Sequence, residues 1–375
     1  MTKDASRLQL SRRQVLQWSA LAGTAALVPG FSASRSPQAA AEVDWVAPPD
    51  LAKAKEQATE FQTYGMPDDW ANYGAVLHAF AKKYGFTLKR NDTDMTSMEE
   101  ITKYDAEKDH AVAVSSDIGL IYGPIAEKEG VVPPYVPPRA ETLPAGLKAT
   151  SGGWVATFTG VPSIVVNTDV IEDVPATWDD LLKPAYTGKI GMRDPRQAGE
   201  AATAFLAWSF AHGGDETNLK PGIEFAKRLL PQFGPKEGNA QDLEKGEVPI
   251  LIKYDFHSVA AASTVQEKGV NAKVVIPGVS IYAPSALMIN KYNTAKADLA
   301  KLLLDFVLSD EAQTAFAGFG ARPIRYVLGD LILPEGAKAT WLPEAEYASV
   351  KQVADWSKVD ATHIADTWDQ EVLGG

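Results

Sequence analysis

The side chains of this 375-residue chain that can do chemistry are carboxylates, arginines, one lysine and aromatic rings, gathered in loops at predicted strand ends. Asp69 and Trp70 close the loop Met66–Trp70, and Thr96 and Ser97 stand at a helix start. Ser116 and Asp117 follow a strand, and Trp154 begins a β-branched stretch. Asp194, Arg196 and Gln197 share a polar loop with Arg193. Lys253, Tyr254 and Asp255 follow another strand, and Tyr282 stands near its own strand. Arg193, Arg196 and Lys253 can pair with an anion through charge-assisted hydrogen bonds, and Trp70, Trp154 and Tyr282 can supply flat apolar walls. These are binding groups. The spacings that catalysis needs, G-x-S-x-G, G-x-x-x-x-G-K and H-E-x-x-H, are absent from the sequence. The five histidines are scattered, with only His257 beside a candidate loop. The chain has no cysteine, which removes thiolate nucleophiles, thiolate metal sites, disulfides and a lipid-anchoring cysteine. Asp92 and Asp94 lack the glycine and closing glutamate of a calcium loop. We therefore expect a binding protein without catalytic residues, metal or cofactor.

The elements that must position these residues are legible in outline. The central stretch is Pro175–Gly199, PATWDDLLKPAYTGKIGMRDPRQAG. Thr177 can cap a helix with Asp180 three residues on, and Pro184 stops that helix. Ile190-Gly191-Met192 reads as a short strand, Arg193–Gln197 as a polar loop, and Ala201–Ala211 as an apolar helix. Strand, polar loop and helix start together present free backbone N–H groups at a sheet's carboxyl end. Upstream, strand Phe61–Tyr64, helix Tyr73–Tyr84 closed by Gly85, and strand Phe86–Lys89 make a βαβ unit. Thr96-x-x-Glu99 is a capping box opening helix Met98–Lys108, and Val112–Val114 is a strand with Ser115–Asp117 at its end. Val155–Asn167, broken at Gly160-Val161-Pro162, reads as a crossing between two lobes. Strands are expected at Val248–Ile252 and Lys273–Ile276, and Ile281–Ile289 returns the chain to the first lobe. Helices Thr294–Leu308 and Asp310–Gly318 follow, and the tail Lys338–Leu373 reads as amphipathic helices packed on the first lobe.

The run P-x-T-W-x-D-L-L-x-P-x-Y-x-G-K-I, followed by an Asp-Pro loop, resembles the second-lobe signature of bacterial extracellular solute-binding proteins of ABC importers. Gly320-Ala321-Arg322-Pro323 resembles the same family's G-x-R-P turn, placed after Ser309-Asp310-Glu311-Ala312-Gln313. The branch in question includes ferric-ion, phosphonate, sugar-phosphate and polyamine binders. The resemblance implies an α/β, two-lobed type II periplasmic binding protein fold. Each lobe would be a mostly parallel sheet flanked by helices, with ligand held between the lobes by hinge closure. It also implies a non-enzymatic monomer that hands its solute to a membrane permease. The expected division is 42–157 for the first part of lobe 1, 158–280 for lobe 2, and 281–375 for the return to lobe 1 and C-terminal helices.

Residues 1–41 read as a removable signal for export to the periplasm. Ser11-Arg12-Arg13-Gln14-Val15-Leu16-Gln17 resembles the twin-arginine motif, the apolar run Trp18–Phe31 is too short to span a membrane, and Ala39–Ala41 offers a cleavage site. Five of the 36 basic residues but only one of the 48 acidic ones lie in that segment, so the remainder carries 31 against 47, a net −16. That charge argues against nucleic acid as a partner.

On the ligand the resemblance divides. Ferric binders of the family use adjacent tyrosines, whereas Tyr254 and Tyr282 stand singly here. Polyamine binders use carboxylates and an aromatic box, which Asp69, Asp117 and Asp255 with Trp154 and Tyr254 can make. Phosphonate and sugar-phosphate binders use helix N-termini with Ser/Thr and Arg, which the Thr96-Ser97 start and the Asp194–Gly199 loop match better. The expected ligand is a small polar, anionic or phosphorylated organic solute. A cation binder of the same fold is the alternative, and a periplasmic enzyme or sensor subunit on a two-lobed fold is the rival from other classes.

Overall fold

In the computed structural model, residues 43–374 are described, and the export signal read in residues 1–41 lies outside them. The chain opens with helix α1 (Leu51–Gln57), strand β1 (Glu60–Tyr64), helix α2 (Tyr73–Tyr84) and strand β2 (Lys89–Thr93). Helix α3 (Ser97–Ala106), strand β3 (Ala113–Gly119), helix α4 (Gly123–Lys128) and strand β4 (Trp154–Gly160) follow. A second sheet starts one residue later, with β5 (Pro162–Asn167) and β6 (Ile190–Gly191). Three helices come next, α5 (Gly199–Ala211), α6 (Lys220–Leu229) and α7 (Ala240–Lys245), then β7 (Ile250–Tyr254), α8 (Asp255–Gln266) and β8 (Ala272–Val275). Strand β9 (Ala283–Ile289) rejoins the first sheet, followed by α9 (Ala297–Phe306), α10 (Asp310–Phe319), β10 (Arg322–Pro323), α11 (Ile324–Val327) and α12 (Ala361–Thr367). The sheet orders are β10-β4-β9-β3-β1-β2 and β6-β7-β5-β8.

Both sheets are mixed, which corrects the expectation of mostly parallel ones. Only β1/β2, β1/β3 and β6/β7 run parallel. The reason is the double crossing. β4 leaves the first sheet toward the second while β9 arrives from it, so these neighbours must run antiparallel. β3 likewise ends at the edge where β9 begins. Strands β3, β4, β5 and β9 are buried at every position, as strands covered on both faces must be. Helix α5 is apolar all round and buried along all but its last residue. Trp178, Phe205 and Phe225 surround its Trp208.

Three local expectations change. Ser115–Asp117 lie inside β3 rather than beyond its end, and Lys253 and Tyr254 lie inside β7, with Asp255 opening α8. The Thr177–Asp180 cap is present, with Asp180 Oδ2 accepting from the Ala176 and Thr177 amides, but the turn it starts is 3-10, Asp179–Leu182. The tail is mostly irregular, with short turns at Glu344–Tyr347, begun after Pro343, and at Trp356–Lys358 ahead of α12. Its end does not pack on the first lobe. Trp368, in the π-helical turn after α12, lies 5.6 Å from Phe205 and 6.4 Å from Trp208 on α5 (ring centroids). None of the described helices is long and apolar enough to cross a membrane.

Candidate ligand cleft

The first sheet meets a helix of the second lobe at a pair of glycines. A Cβ on Gly119, at the end of β3, would come within 2.7 Å of the Gly199 Cα, and one on Gly199 within 2.6 Å of the Gly119 Cα. Two hydrogen bonds sit beside this contact. The Gly119 amide donates to Ser97 Oγ at 3.0 Å, and the Met98 amide reaches across to the Gln197 carbonyl at 3.4 Å. Next to them a cavity of about 30 Å³ separates loops of the first lobe from loops of the second. That is room for roughly one water, so an organic solute requires the lobes to part.

The first-lobe wall is acidic. Asp117 is 5% exposed and accepts from Trp70 Nε1 at 2.6 Å and Tyr73 OH at 2.7 Å. Burial pushes its carboxyl up to about 8, against the pull of these two donors and with Asp92 adding to the rise. Glu100, on α3, is 1% exposed, and its Oε2 has no hydrogen-bond partner. Burial first, then the charges of Asp117, Asp92 and Asp94, drive its carboxyl well above the usual range. A Cβ on Gly65 would collide with the Glu100 carboxylate, and Gly65 has a φ of +63°, so glycine answers both demands there.

The second-lobe wall is positive. Helix α5 begins after Ala198 with no side chain capping it, so the first-turn N–H groups face the cavity that Ala198, Gly199 and Glu200 line. Arg193 lines the same cavity, with its guanidinium 3.6 Å from Asp94 Oδ2. Glu200 Oε1 accepts from the Tyr254 amide at 2.7 Å and lies 3.3 Å from His257 Nδ1. Burial would raise the Glu200 carboxyl, but Lys253, His257 and Arg193 overcome it and hold it at about 2. His257 is lowered by burial despite Glu200, and its ring meets that of Trp70 at 3.9 Å, a contact between residues of the two lobes.

Of the residues singled out from sequence, Trp70, Thr96, Ser97, Asp117, Arg193 and Tyr254 line this cavity. Thr96 also takes part in the capping box with Glu99. The others stand elsewhere, each for a physical reason. Asp69 is exposed on its loop. Ser116 points to the opposite face of β3, where it donates to Tyr104 OH at 2.7 Å. Trp154 is a core ring packed over Gly123. Arg196 is taken up by Asp194, which accepts from its Nε at 3.0 Å, and by Asp369, which accepts from its Nη1 at 2.7 Å. Gln197 is exposed and contributes only its carbonyl. Lys253 is half-buried and acts on the cavity through Glu200. Asp255 clamps the crossing between the sheets, accepting from the Val161 amide at 2.8 Å and Tyr347 OH at 2.6 Å. Tyr282 lines a separate hollow of about 230 Å³ together with Val353 and Trp356. The sequence reading missed Glu100 and Glu200. Both follow a helix start, where an acid reads as a partner of the helix dipole rather than as part of a site.

Residues 115–350 match the family described as bacterial extracellular solute-binding proteins, and that span holds β3, both crossings between the sheets and the whole second-lobe wall. The chain belongs to this family. Members bind solutes for ABC importers, outside the cytoplasm, and are not enzymes. An uncharacterised protein of Haemophilus influenzae is 27% identical over 255 residues, 63% of this chain and 69% of that one. The periplasmic binding protein AfuA from Actinobacillus pleuropneumoniae, solved with fructose-6-phosphate, superimposes with a TM-score of 0.66 at 19% identity, over 84% of this chain and 99% of AfuA. The periplasmic binding protein P5PA gives 0.64 at 24% identity, and iron-bound HitA from Pseudomonas aeruginosa 0.62 at 16%, each over 84% of this chain and 99% of the other. At these identities the likeness carries the fold, a two-lobed type II periplasmic binding protein.

Proposed function

We propose that this solute-binding protein captures a small organic solute bearing an anionic group, a phosphate or carboxylate, and passes it to the permease of an ABC importer. The observation that carries the reading is the second-lobe wall. There the uncapped N-terminus of a 13-residue helix and Arg193 converge on the interlobe cavity. A helix N-terminus attracts an anion through its free N–H groups and its dipole, and a guanidinium adds a charge-assisted fork. The sugar phosphate in AfuA is consistent with such a ligand on this fold. Binding contacts from both lobes favour the closed form, and the lobes act as a population switch. We further propose that the chain works as a monomer in the periplasm after twin-arginine export, which size-exclusion chromatography and fractionation of cells carrying Arg12→Lys with Arg13→Lys would check.

The test is calorimetry with the solute that mass spectrometry identifies on gently purified protein. Arg193→Ala removes one charge-assisted contact, so affinity is expected to fall by about 1.5–3 kcal/mol, roughly ten- to a hundred-fold. Arg196→Ala, whose charge is spent on Asp194 and Asp369, should cost far less. Equal losses in the two variants would move the anion away from Arg193.

A further inference from the structure

We infer that the solute also carries a protonated amine, held by Glu100 and Asp117, so that the substrate class is amphoteric: a cation at one end and an anion at the other. This rests on the cleft reading above and extends it to the opposite wall.

The observations are independent of the anion site. Glu100 is buried, lines the cavity and leaves Oε2 without a hydrogen-bond partner. A buried carboxyl oxygen left unpaired is costly, and one that belongs to a cavity-lining residue is placed to take a donor from a ligand. Asp117 lines the same cavity, and its recorded donors, Trp70 and Tyr73, are both neutral. The basic groups on this side of the cavity do not reach these two acids. Arg90 pairs with Asp68, and Arg193 faces Asp94. Among the described residues no lysine or arginine forms an ion pair with Glu100 or Asp117, so the wall carries acid without counter-charge.

Three chemistries could answer such a wall: a metal ion, a neutral hydroxyl or an ammonium. No cluster of three or more His, Cys, Asp or Glu side chains that could hold a metal exists among the described residues, which counts against the first. A hydroxyl brings one donor and no charge, whereas an ammonium brings three donors and a full positive charge, and in a site closed from water that charge is worth more. The partition of charge between the lobes points the same way. The acids without a basic partner, Asp117 and Glu100, belong to the first lobe, and Arg193 and the α5 N-terminus to the second, whose own acid Glu200 is answered within that lobe by Lys253, His257 and Arg193. A solute with a single charge satisfies one wall, while a dipolar solute satisfies both and draws them together.

The test uses probes in place of an assumed solute. Aminoalkyl phosphates and ω-amino carboxylates of two to five carbons are titrated against the purified protein, alongside their amine-free and acid-free counterparts. At least one aminated acid is expected to bind ten-fold or more tightly than its amine-free counterpart. In Asp117→Asn, and separately in Glu100→Gln, that ratio should fall below three, with folding checked by circular dichroism. Amine-free acids binding within two-fold of the aminated ones overturns the inference and leaves the anion reading standing. Acid-free amines binding as tightly as the amphoteric probes, with selectivity still lost in Asp117→Asn, overturns the anion reading and keeps the amine. If no probe in the series binds, both fall.

Discussion

Asp117 sits where two demands conflict, since it must stay buried in the closed protein and present charge to a cleft. Its environment includes Trp70, Tyr73 on α2, Asp92 on β2 and Glu100 on α3, with no cation among them. An acid whose folded pKa lies at about 8, against an ordinary value of 3.8, binds a proton in the native state that the unfolded state has lost. Stability therefore falls as pH rises from about 4 to about 8. Thermal melts are expected to show a higher Tm for the solute-free protein at pH 5 than at pH 8, and Asp117→Asn to flatten much of that slope. An unchanged slope would mean that Asp117 is charged throughout. Glu200 has the opposite sign, because a carboxyl held at about 2 adds stability that disappears as pH drops from its ordinary 4.5 toward 2. Legibility at this scale was uneven. Trp70 and Asp117 were recognisable as a ring and an acid close to the carboxyl ends of β1 and β3, where parallel strands open onto a cleft. Arg193 and Arg196, three residues apart, could not be told apart, since a turn decides which one meets Asp194 and Asp369 and which one meets the cavity.

Among the elements, β3 and α5 come into close contact at Gly119 and Gly199. Neither glycine has a positive φ, so alanine suits the backbone at both positions and only the contact between lobes resists it. Gly199→Ala is therefore expected to fold with a near-normal Tm and to penalise closure, by about 1–3 kcal/mol as overpacking does. The measurement pairs calorimetry with small-angle scattering on the retained solute. Affinity should fall about five-fold or more, and the compaction seen in the parent protein should shrink. Tight binding with full compaction would show that the lobes close around another contact. The local rules were readable here. The Thr96–Glu99 box and the Ser309 cap form as their spacing demands, because such caps are settled within one turn. The antiparallel pairs were not readable, because strand direction follows from where the chain crosses between sheets, a long-range property that no window of residues contains.

Taken whole, the molecule ties its lobes together more than twice. Besides the crossings at Val161 and between β8 and β9, the tail runs from Lys351, bridged to Ile281, across to Trp368 on α5. Tyr347 holds Asp255 from the tail's side and lies under the Arg322 guanidinium, 3.7 Å from its ring centre. Trp368→Ala should cost about 3–5 kcal/mol if the tail is integral to the fold, read as a drop in the single melting transition. Two separate transitions, or a loss below about 1 kcal/mol, would mark the tail as a loosely attached segment. The two-lobed fold was legible from the family motif, but the tail's destination was not, since the spacing of Val350, Val353, Trp356 and Val359 announces an apolar face without naming the lobe it meets.

The tail also bears on travel. A hinge made of two crossings swings until something stops it, and a third length of chain, anchored at Lys351 and Trp368, would go taut as the mouth widens. Its slack would then set the gape, so Trp368→Ala is expected to admit solutes of greater girth with every group in the cavity unaltered, and unchanged size selectivity would show that the tail does not restrain opening.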